Sequence, residues 1–452
     1  MREDESLRLL SEAGRQALAD VYDATLACVR CGLCLTSCPT YVLTLHEAEG
    51  PRGRIAMIRG LAEGRLPLTD DLIRHQTSCL VCDACSAVCP AGVRMDPLQA
   101  ALRAAVEPAV RRSPGERLLR RLALGRVLAD MRLLRLAVRL LRLYQRSGLH
   151  RAARRLGLLR VARLVHADAL LPPLPARPLV PRGEVYPAIV APPESQPASV
   201  SLFAGCVMST VFADIDRATI RVLQRAGCEV EDPVGQGCCG ALHAHAGEVA
   251  RARDLARRNI TAFERGTGGP IVVNSAGCGA MLKDYAHLLR DDPDWAARAA
   301  DFSARVQDVT EFLAALPAPD PQPLPPNPRV VTYQDACHLA HAQGITRPPR
   351  ALLGRTPGVK LVEMADGGLC CGSAGIYNLT QPETARQLRE RKLDHALATG
   401  ADVIVTANPG CLLHLRAGLA ERGSAVQVKH IVELLDEAGT ASLPGPPAKT
   451  GP

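Results

Sequence analysis

Eight cysteines in two runs constrain this chain more than any other feature: Cys28, Cys31, Cys34 and Cys38 followed by Pro39, then Cys79, Cys82, Cys85 and Cys89 followed by Pro90. Each run reads Cys-x-x-Cys-x-x-Cys-x-x-x-Cys-Pro. With this spacing a short loop wraps three thiolates round one 4Fe-4S cubane and lends its fourth to a second cubane. Gaps of two residues bring three sulfurs to one side of the cube, which leaves a corner for a distant cysteine. The proline after the fourth cysteine has no N–H to donate and turns the chain away. The spacing therefore predicts one cluster held by Cys28, Cys31, Cys34 and Cys89, and another held by Cys79, Cys82, Cys85 and Cys38. Zinc sites use paired Cys-x-x-Cys units rather than fourfold runs closed by Cys-Pro, and two copies of the run argue against chance. One-electron chemistry is the expectation.

A chain of 452 residues has room for about three domains. At 47% apolar it can bury cores that a disordered scaffold cannot. Seventeen cysteines suit a reducing compartment, because thiols committed to disulfides cannot bind iron. The first twenty residues are acidic and amphipathic with no apolar h-region, so no secretory signal is expected. No window approaches eighteen uninterrupted apolar residues, so no membrane-spanning helix is expected either. A cytoplasmic location follows, with peripheral attachment to the inner face of the cell membrane left open.

The positive charge is concentrated in one segment. Between Arg111 and Arg163 sixteen arginines face two acids, Glu116 and Asp130; that stretch carries +14, which leaves −6 for the remainder of a chain whose net is +8. Within it, Leu133, Leu136, Leu140 and Leu143 recur at helical intervals, and so do Arg132, Arg135, Arg139, Arg142 and Arg146. A solvated face, a membrane-surface helix and a docking surface for an acidic partner all fit such a basic amphipathic helix. Nucleic acid is not expected as a partner, since aromatics are 3% and no binding motif accompanies the charge.

The predicted fold is multidomain: an all-α, helical ferredoxin domain followed by two repeated α/β, parallel-sheet Cys-Cys-Gly modules. Residues 1–110 form the helical ferredoxin domain, because the segments Ile55 to Glu63 and Leu72 to His75 have helical spacing and the gap from Cys38 to Cys79 exceeds that of the compact ββα type. Within that gap, Arg52 and Arg54 of Glu49-Gly50-Pro51-Arg52-Gly53-Arg54 are either solvated charges at a turn or cations that offset anionic clusters. Residues 111–170 are the basic helical segment. Residues 171–198 are a linker with nine prolines, 317–328 a second proline-rich linker, and 439–452 a flexible tail.

Residues 199–316 and 329–438 are the two repeats. Cys206 recurs as Cys337, Cys238-Cys239-Gly240 as Cys370-Cys371-Gly372, and Cys278 as Cys411, at offsets of 131, 132 and 133 residues. In each copy, strands (Val200 to Ala204 and Ile271 to Val273; Val330 to Tyr333 and Val403 to Thr406) alternate with helical stretches, the pattern of a parallel α/β unit. Ligands in such units collect at the carboxyl ends of strands, where all four cysteines of each copy fall. Cys206, Cys238, Cys239 and Cys278, and likewise Cys337, Cys370, Cys371 and Cys411, are candidate cluster ligands, a redox-active pair or buried small hydrophobes. Cys228 has no counterpart and reads as structural, and His243 and His338 read as polar residues rather than ligands. The run Gly235-Gln236-Gly237-Cys238-Cys239-Gly240 matches G-x-G-x-x-G, but the second copy keeps only Cys-Cys-Gly, so the dinucleotide match is accidental.

Over its full length the chain resembles the iron–sulfur subunits of glycolate oxidase (glycolate dehydrogenase). The resemblance rests on EGPRGRI at Glu49 to Ile55, NSAGCGAMLKDY at Asn274 to Tyr285, LCCGSAGIYNLTQPETARQLRERK at Leu369 to Lys392 and VTANPGCLLHL at Val405 to Leu415. It implies an electron-transfer subunit with two 4Fe-4S clusters, and it leaves open a further cluster in one or both Cys-Cys-Gly repeats. Flavin would sit only on partner subunits that oxidise glycolate to glyoxylate, with quinone or another acceptor downstream. The architecture is shared with the iron–sulfur subunits of lactate and glycerol-3-phosphate dehydrogenases and with heterodisulfide reductase. The last uses a closing Cys-x-x-Cys for a double-cubane site; here Ser275 and Asn408 stand where its first cysteine would be, which counts against that chemistry. No catalytic residue is assigned, since no general base accompanies a carboxylate clamp in this chain.

Overall fold

The computed structural model describes residues 10–158, 168–189, 199–317 and 324–441. Its N-terminal lobe is helical, with no strand among the described residues. Ser11 caps helix Glu12–Ala19 by accepting from Gly14 N, and Thr69 caps Asp70–Thr77 by accepting from Leu72 N. Helix Pro51–Ala62 starts on a proline at its first turn. Helix Met95–Val106 buries Leu98, Leu102 and Ala105 on one face against Leu18, Ile58 and Leu61.

The basic segment follows as helices Pro114–Leu122, Met131–Arg146 and Leu149–Arg155. Ser113 and Glu116 close a capping box on the first, and Asp130 caps the second. The leucine stripe seen in the sequence does not face the protein. Leu134 and Val138 are buried, whereas Leu133, Leu136, Leu140 and Leu143 are 40%, 51%, 59% and 64% exposed.

Each repeat is an open sheet. In the first, β1 (Val185–Tyr186), β2 (Ser199–Phe203), β3 (Glu229–Glu231), β4 (Ile271–Val273) and β5 (Val306–Asp308) lie in the order β1-β3-β2-β4-β5, all parallel except β1. In the second, β6 (Arg329–Tyr333), β7 (Val359–Leu361), β8 (Val403–Thr406) and β9 (Gln427–His430) are all parallel in the order β7-β6-β8-β9. In both, the first parallel strand is flanked by its two successors, so the chain reverses direction across the sheet at that strand's carboxyl end, the usual ligand position. The two sheets share one continuous core running from Val200 and Leu202 to Val403 and Leu415. His430 Nε2 lies 2.8 Å from Asn274 O, and Arg221 and Arg225 both pair with Asp436 at 2.5 Å.

The edge strands β5 and β9, three and four residues long, carry no strand signature in the sequence. The stretch 171–198 is more than the extended linker its prolines predict. Residues 182–186 are strapped to the first repeat instead: Asp232 accepts from Arg182 N at 3.2 Å and Glu184 N at 2.6 Å, and β1 pairs with β3. Leu174 and Leu179 are buried. Residues 190–198 of that stretch, and 318–323 of the second proline-rich one, lie outside the described residues. The last helix, Ile431–Ala441, runs into the stretch read as a tail.

Asp232→Ala should release the strap. Loss of two backbone hydrogen bonds to a carboxylate costs about 1–3 kcal/mol, and trypsin should cut after Arg182 faster than in the parent protein while the rest of the chain resists.

Candidate metal centres

The two cysteine runs fold into matching loops. Arg30 and Gly32 in the first, and Val81 and Asp83 in the second, have left-handed backbone (φ 58°, 87°, 51° and 56°) at the same two positions, two and four residues after the first cysteine. For a β-branched residue such as Val81 this is strained geometry. It aims the backbone inward, and Val81 N donates to Cys79 Sγ at 3.4 Å.

Two cavities result. Cys28, Cys31, Cys34 and Cys89 line one, and Cys38, Cys79, Cys82 and Cys85 the other; Cys85 and Met95 also line the first, forming the wall between them. Each run thus lends its last cysteine to the other's cavity. Four sulfurs ranged around one hollow are an arrangement that fits a polynuclear centre. Burial pushes the Cys79, Cys82 and Cys85 thiols above the usual cysteine range, and a bound metal would supply the positive charge their thiolates need.

The two arginines near the first run part company. Arg52 is at the surface, paired with Glu47 at 2.6 Å. Arg54 is 1% exposed and its Nη1 lies 3.9 Å from Cys38 Sγ, while Nη2 pairs with Glu49 Oε2 at 2.7 Å and Nε donates to His75 O at 3.0 Å. Although burial opposes its charge, the surrounding Cys79, Cys38 and Glu49 hold it in the charged form. Gly53 between them is obligatory, because a Cβ there would collide with the Glu47 carbonyl.

In the repeats the four cysteines also converge. Cys206 meets Cys238, Cys238 meets Cys239 and Cys239 meets Cys278. In the second copy Cys337 meets Cys370, Cys370 meets Cys371, and Cys371 Sγ is 3.3 Å from Cys411 Sγ. The glycine of Cys-Cys-Gly has a specific reason in both. Gly240 and Gly372 have φ of 90° and 91°, and a Cβ on Gly372 would sit 2.6 Å from Ala385 O of the following helix. Asn408 Nδ2 lies 3.6 Å from Cys411 Sγ, and its Oδ1 accepts from Gly277 N across the repeat boundary. His338 Nδ1 is 3.8 Å from Cys337 Sγ, and His243 Nε2 contacts Leu124 O at 2.8 Å. Cys228 is buried in the shared core, and burial alone raises its thiol.

The first Cys-Cys-Gly loop is held by two residues outside any motif, Asn259 and Tyr285. Asn259 Oδ1 accepts from Gly237 N, and its Nδ2 donates to Cys238 O and Tyr285 Oη; Tyr285 Oη donates to Cys239 O. Buried polar side chains like these carry no spacing pattern. The second copy holds its loop differently: Lys392, 1% exposed, donates from Nζ to the carbonyls of Asp366 and Gly367.

The two repeat sites have different neighbours. Cys337 and Cys370 share a buried cluster with Leu80, Cys82 and Ala84 of the helical lobe. Cys206 and Cys238 share one with Leu134, Val138, Leu174 and Leu255, under the arginine-rich helix. The lobe itself is fastened by Arg103, which donates to Cys79 O at 2.6 Å and His245 O at 2.7 Å, and by Arg94 on Asp284 at 2.9 Å.

A helical lobe with two four-sulfur cavities, ahead of two parallel-sheet Cys-Cys-Gly units, defines an iron–sulfur protein of the dicluster class. Family models agree in each part: a 4Fe-4S dicluster domain matches residues 24–93, the cysteine-rich CCG domain matches 200–283 and again 331–416, and the linker region of the glycolate oxidase iron-sulfur subunit matches 115–171. The chain is 40% identical over 419 residues to the probable glycolate oxidase iron-sulfur subunit of Bacillus subtilis (strain 168), covering 91% of this chain and 94% of that one. It is 33% identical over 440 residues to the glycolate oxidase iron-sulfur subunit of Escherichia coli (strain K12), covering 95% and 98%. Lactate utilization protein A of an Exiguobacterium species is 33% identical but matches only 53% of this chain. The chain belongs to the glycolate oxidase iron-sulfur subunit family. Among the described residues no helix is long and apolar enough to cross a membrane.

Arg54→Leu leaves the Glu49 carboxylate with His75 and Ser78 as its remaining partners, at a cost of about 3 kcal/mol. Thermal unfolding of the helical lobe should move down accordingly, and adding Glu49→Gln should recover part of the loss. Arg54→Lys should keep the fold while the reduction potential of the neighbouring centre changes, since the fork of hydrogen bonds is lost.

Proposed function

We propose that this chain is the electron-transfer subunit of a glycolate-oxidising complex. Cys28, Cys31, Cys34 and Cys89 would hold one 4Fe-4S cluster, and Cys38, Cys79, Cys82 and Cys85 the second. Such clusters supply one-electron transfer. The observation that carries this reading is the exchange of fourth cysteines between two cavities that share the Cys85 and Met95 wall. Flavin-containing partner subunits would oxidise glycolate to glyoxylate, and Cys31, the one exposed cysteine of the first run, marks the entry side. The contact of Cys82 with the Cys337 cluster supports an onward path into the second repeat. Its own four thiols, and those of the first repeat, are numerous enough for a further cubane each.

The thiol-enzyme alternative of the heterodisulfide-reductase type is disfavoured by Ser275 and by Asn408, whose amide sits on Cys411 rather than offering a fifth sulfur. The exposed leucines of helix Met131–Arg146, flanked by Arg139, Arg142 and Arg146, support a peripheral seat on anionic phospholipid, with quinone as the acceptor.

Cys31→Ser or Cys82→Ser should remove one cluster's iron and its EPR signal. In the complex each should abolish acceptor reduction while glycolate still bleaches the partner flavin; full acceptor turnover in both variants would refute the relay. Iron and sulfide on anaerobically purified protein should come to about eight of each if only the helical lobe is loaded, and about twelve or sixteen if the repeats are too. Replacing Arg139, Arg142 and Arg146 with Gln removes about 1 kcal/mol each at an anionic surface, roughly a hundredfold together. Flotation with phosphatidylglycerol vesicles should fall by that order. Unchanged flotation would assign the helix to the flavoprotein interface instead.

A further inference from the structure

Beside the first repeat's cysteines lies a cavity of about 400 Å³ that no part of the relay above uses. Its wall on one side is the start of helix Met131–Arg146, with Met131, Arg132 and Arg135; on the other it is the loop from Val234 to Gly237, together with Leu255 and Arg258. Two of these residues join it to the sulfurs. Gly237 precedes Cys238 and faces Met131, whose Cγ would be 3.5 Å from a Cβ at that glycine. Leu255 lines the cavity and also packs on Cys206 and Cys238.

Its charged groups are mostly cationic, beside the neutral amides of Gln236 and Asn259, which already bond to the surrounding backbone. Arg132, Arg135 and Arg258 face it, and the Asp130 carboxylate is taken up in capping the helix by accepting from Arg132 N at 2.7 Å. Arg135 Nε is buried and has no hydrogen-bond partner among the described residues, a state that costs free energy until an acceptor arrives. A space walled by Met131, Val180, Pro181, Val234 and Leu255, with three guanidinium groups on its rim and Gly237 next to Cys238, suits a ring whose oxygens gain negative charge on reduction.

We propose that this cavity is the acceptor site, and that it takes the headgroup of an isoprenoid quinone. This rests on the relay reading above, carried one step further: Asn408, which touches Cys411 Sγ and the Gly277 amide next to Cys278, would join the second repeat's centre to the first's. At about 100° per residue, the helix that walls the cavity turns Leu134 and Val138 inward and carries Leu133, Leu136, Leu140 and Leu143 on its outer side. The first of those exposed leucines follows Arg132 directly, so an apolar tail leaving the cavity meets a leucine track. The reaction balances: glycolate gives up two electrons and two protons to form glyoxylate, and the quinone takes up two electrons by way of this chain and two protons from solvent to form the quinol.

The test uses the full chain with its metal centres, irradiated with an azido-substituted quinone and digested for peptide mapping. Label is expected on residues 129–135 and 234–237, displaced by unlabelled quinone. Arg135→Leu and the exposed Arg258→Leu should each lower that labelling by about tenfold, the worth of one hydrogen bond to a charged donor. Label placed elsewhere, label indifferent to both substitutions, or label displaced by quinone-free phosphatidylglycerol vesicles but not by quinone would each overturn the assignment. A complex that labels in the cavity yet passes no glycolate electrons to ferricyanide would support the site and refute the relay instead.

Discussion

Four sulfurs that must surround one cube cannot all come from a single short loop, and the helical lobe is built round that restriction. Because Cys89 lines the cavity of the first run and Cys38 that of the second, residues 28–38 and 79–89 lie against each other. The helices between and after them, Pro51–Ala62 and Met95–Val106, pack as they do because they must hold the two loops in that embrace. Burying so many thiols disfavours their ionisation, so the lobe needs compensating charge. Arg54 and Arg103 provide it from inside, each anchored by several hydrogen bonds rather than left on a flexible stem. Two buried cations without their anionic centre would be a liability.

The repeats follow another rule. Their strands are short and parallel, and the cysteines gather where the chain changes direction across each sheet. The sulfur sets are alike, yet their surroundings are not: one set lies against the helical lobe, the other under the basic helix. Duplication supplied two equivalent sites, and packing against unlike neighbours made them different. Any centre bound at these two sites would meet different solvent access and local charge, which tune a metal site as strongly as its ligands do.

Much of this was readable from residue spacing. The fourfold cysteine runs, the 131–133-residue repeat and the strands at Val200, Ile271, Val330 and Val403 all follow from period and spacing, which are properties of a line of text. Features that depend on what meets across space were not. Val81 and Asp83 give no hint of left-handed backbone, whereas Gly32 at the equivalent place in the first run does. Asn259, Tyr285 and Lys392 hold loops from a distance, by contacts that no local pattern encodes. The leucines of the basic helix have the period of a core face, but the face that packs is the one carrying Leu134 and Val138. Periodicity announces that a helix has an apolar side; it does not say whether that side meets protein. The proline-rich stretch misled for a related reason: proline restrains the backbone but is silent about a partner such as Asp232.

The packing of Leu80, Cys82 and Ala84 into the same apolar cluster as Cys337 and Cys370 has a mechanical corollary. The seam that joins the two bodies is also the place where charge would cross from one to the other. A hinge at this seam would therefore act as a switch in the off position, because tunnelling fades steeply as the gap widens. On the proposed path, the packing of Leu80, Cys82 and Ala84 on Cys337 and Cys370 is the weld that has to stay tight for current to flow.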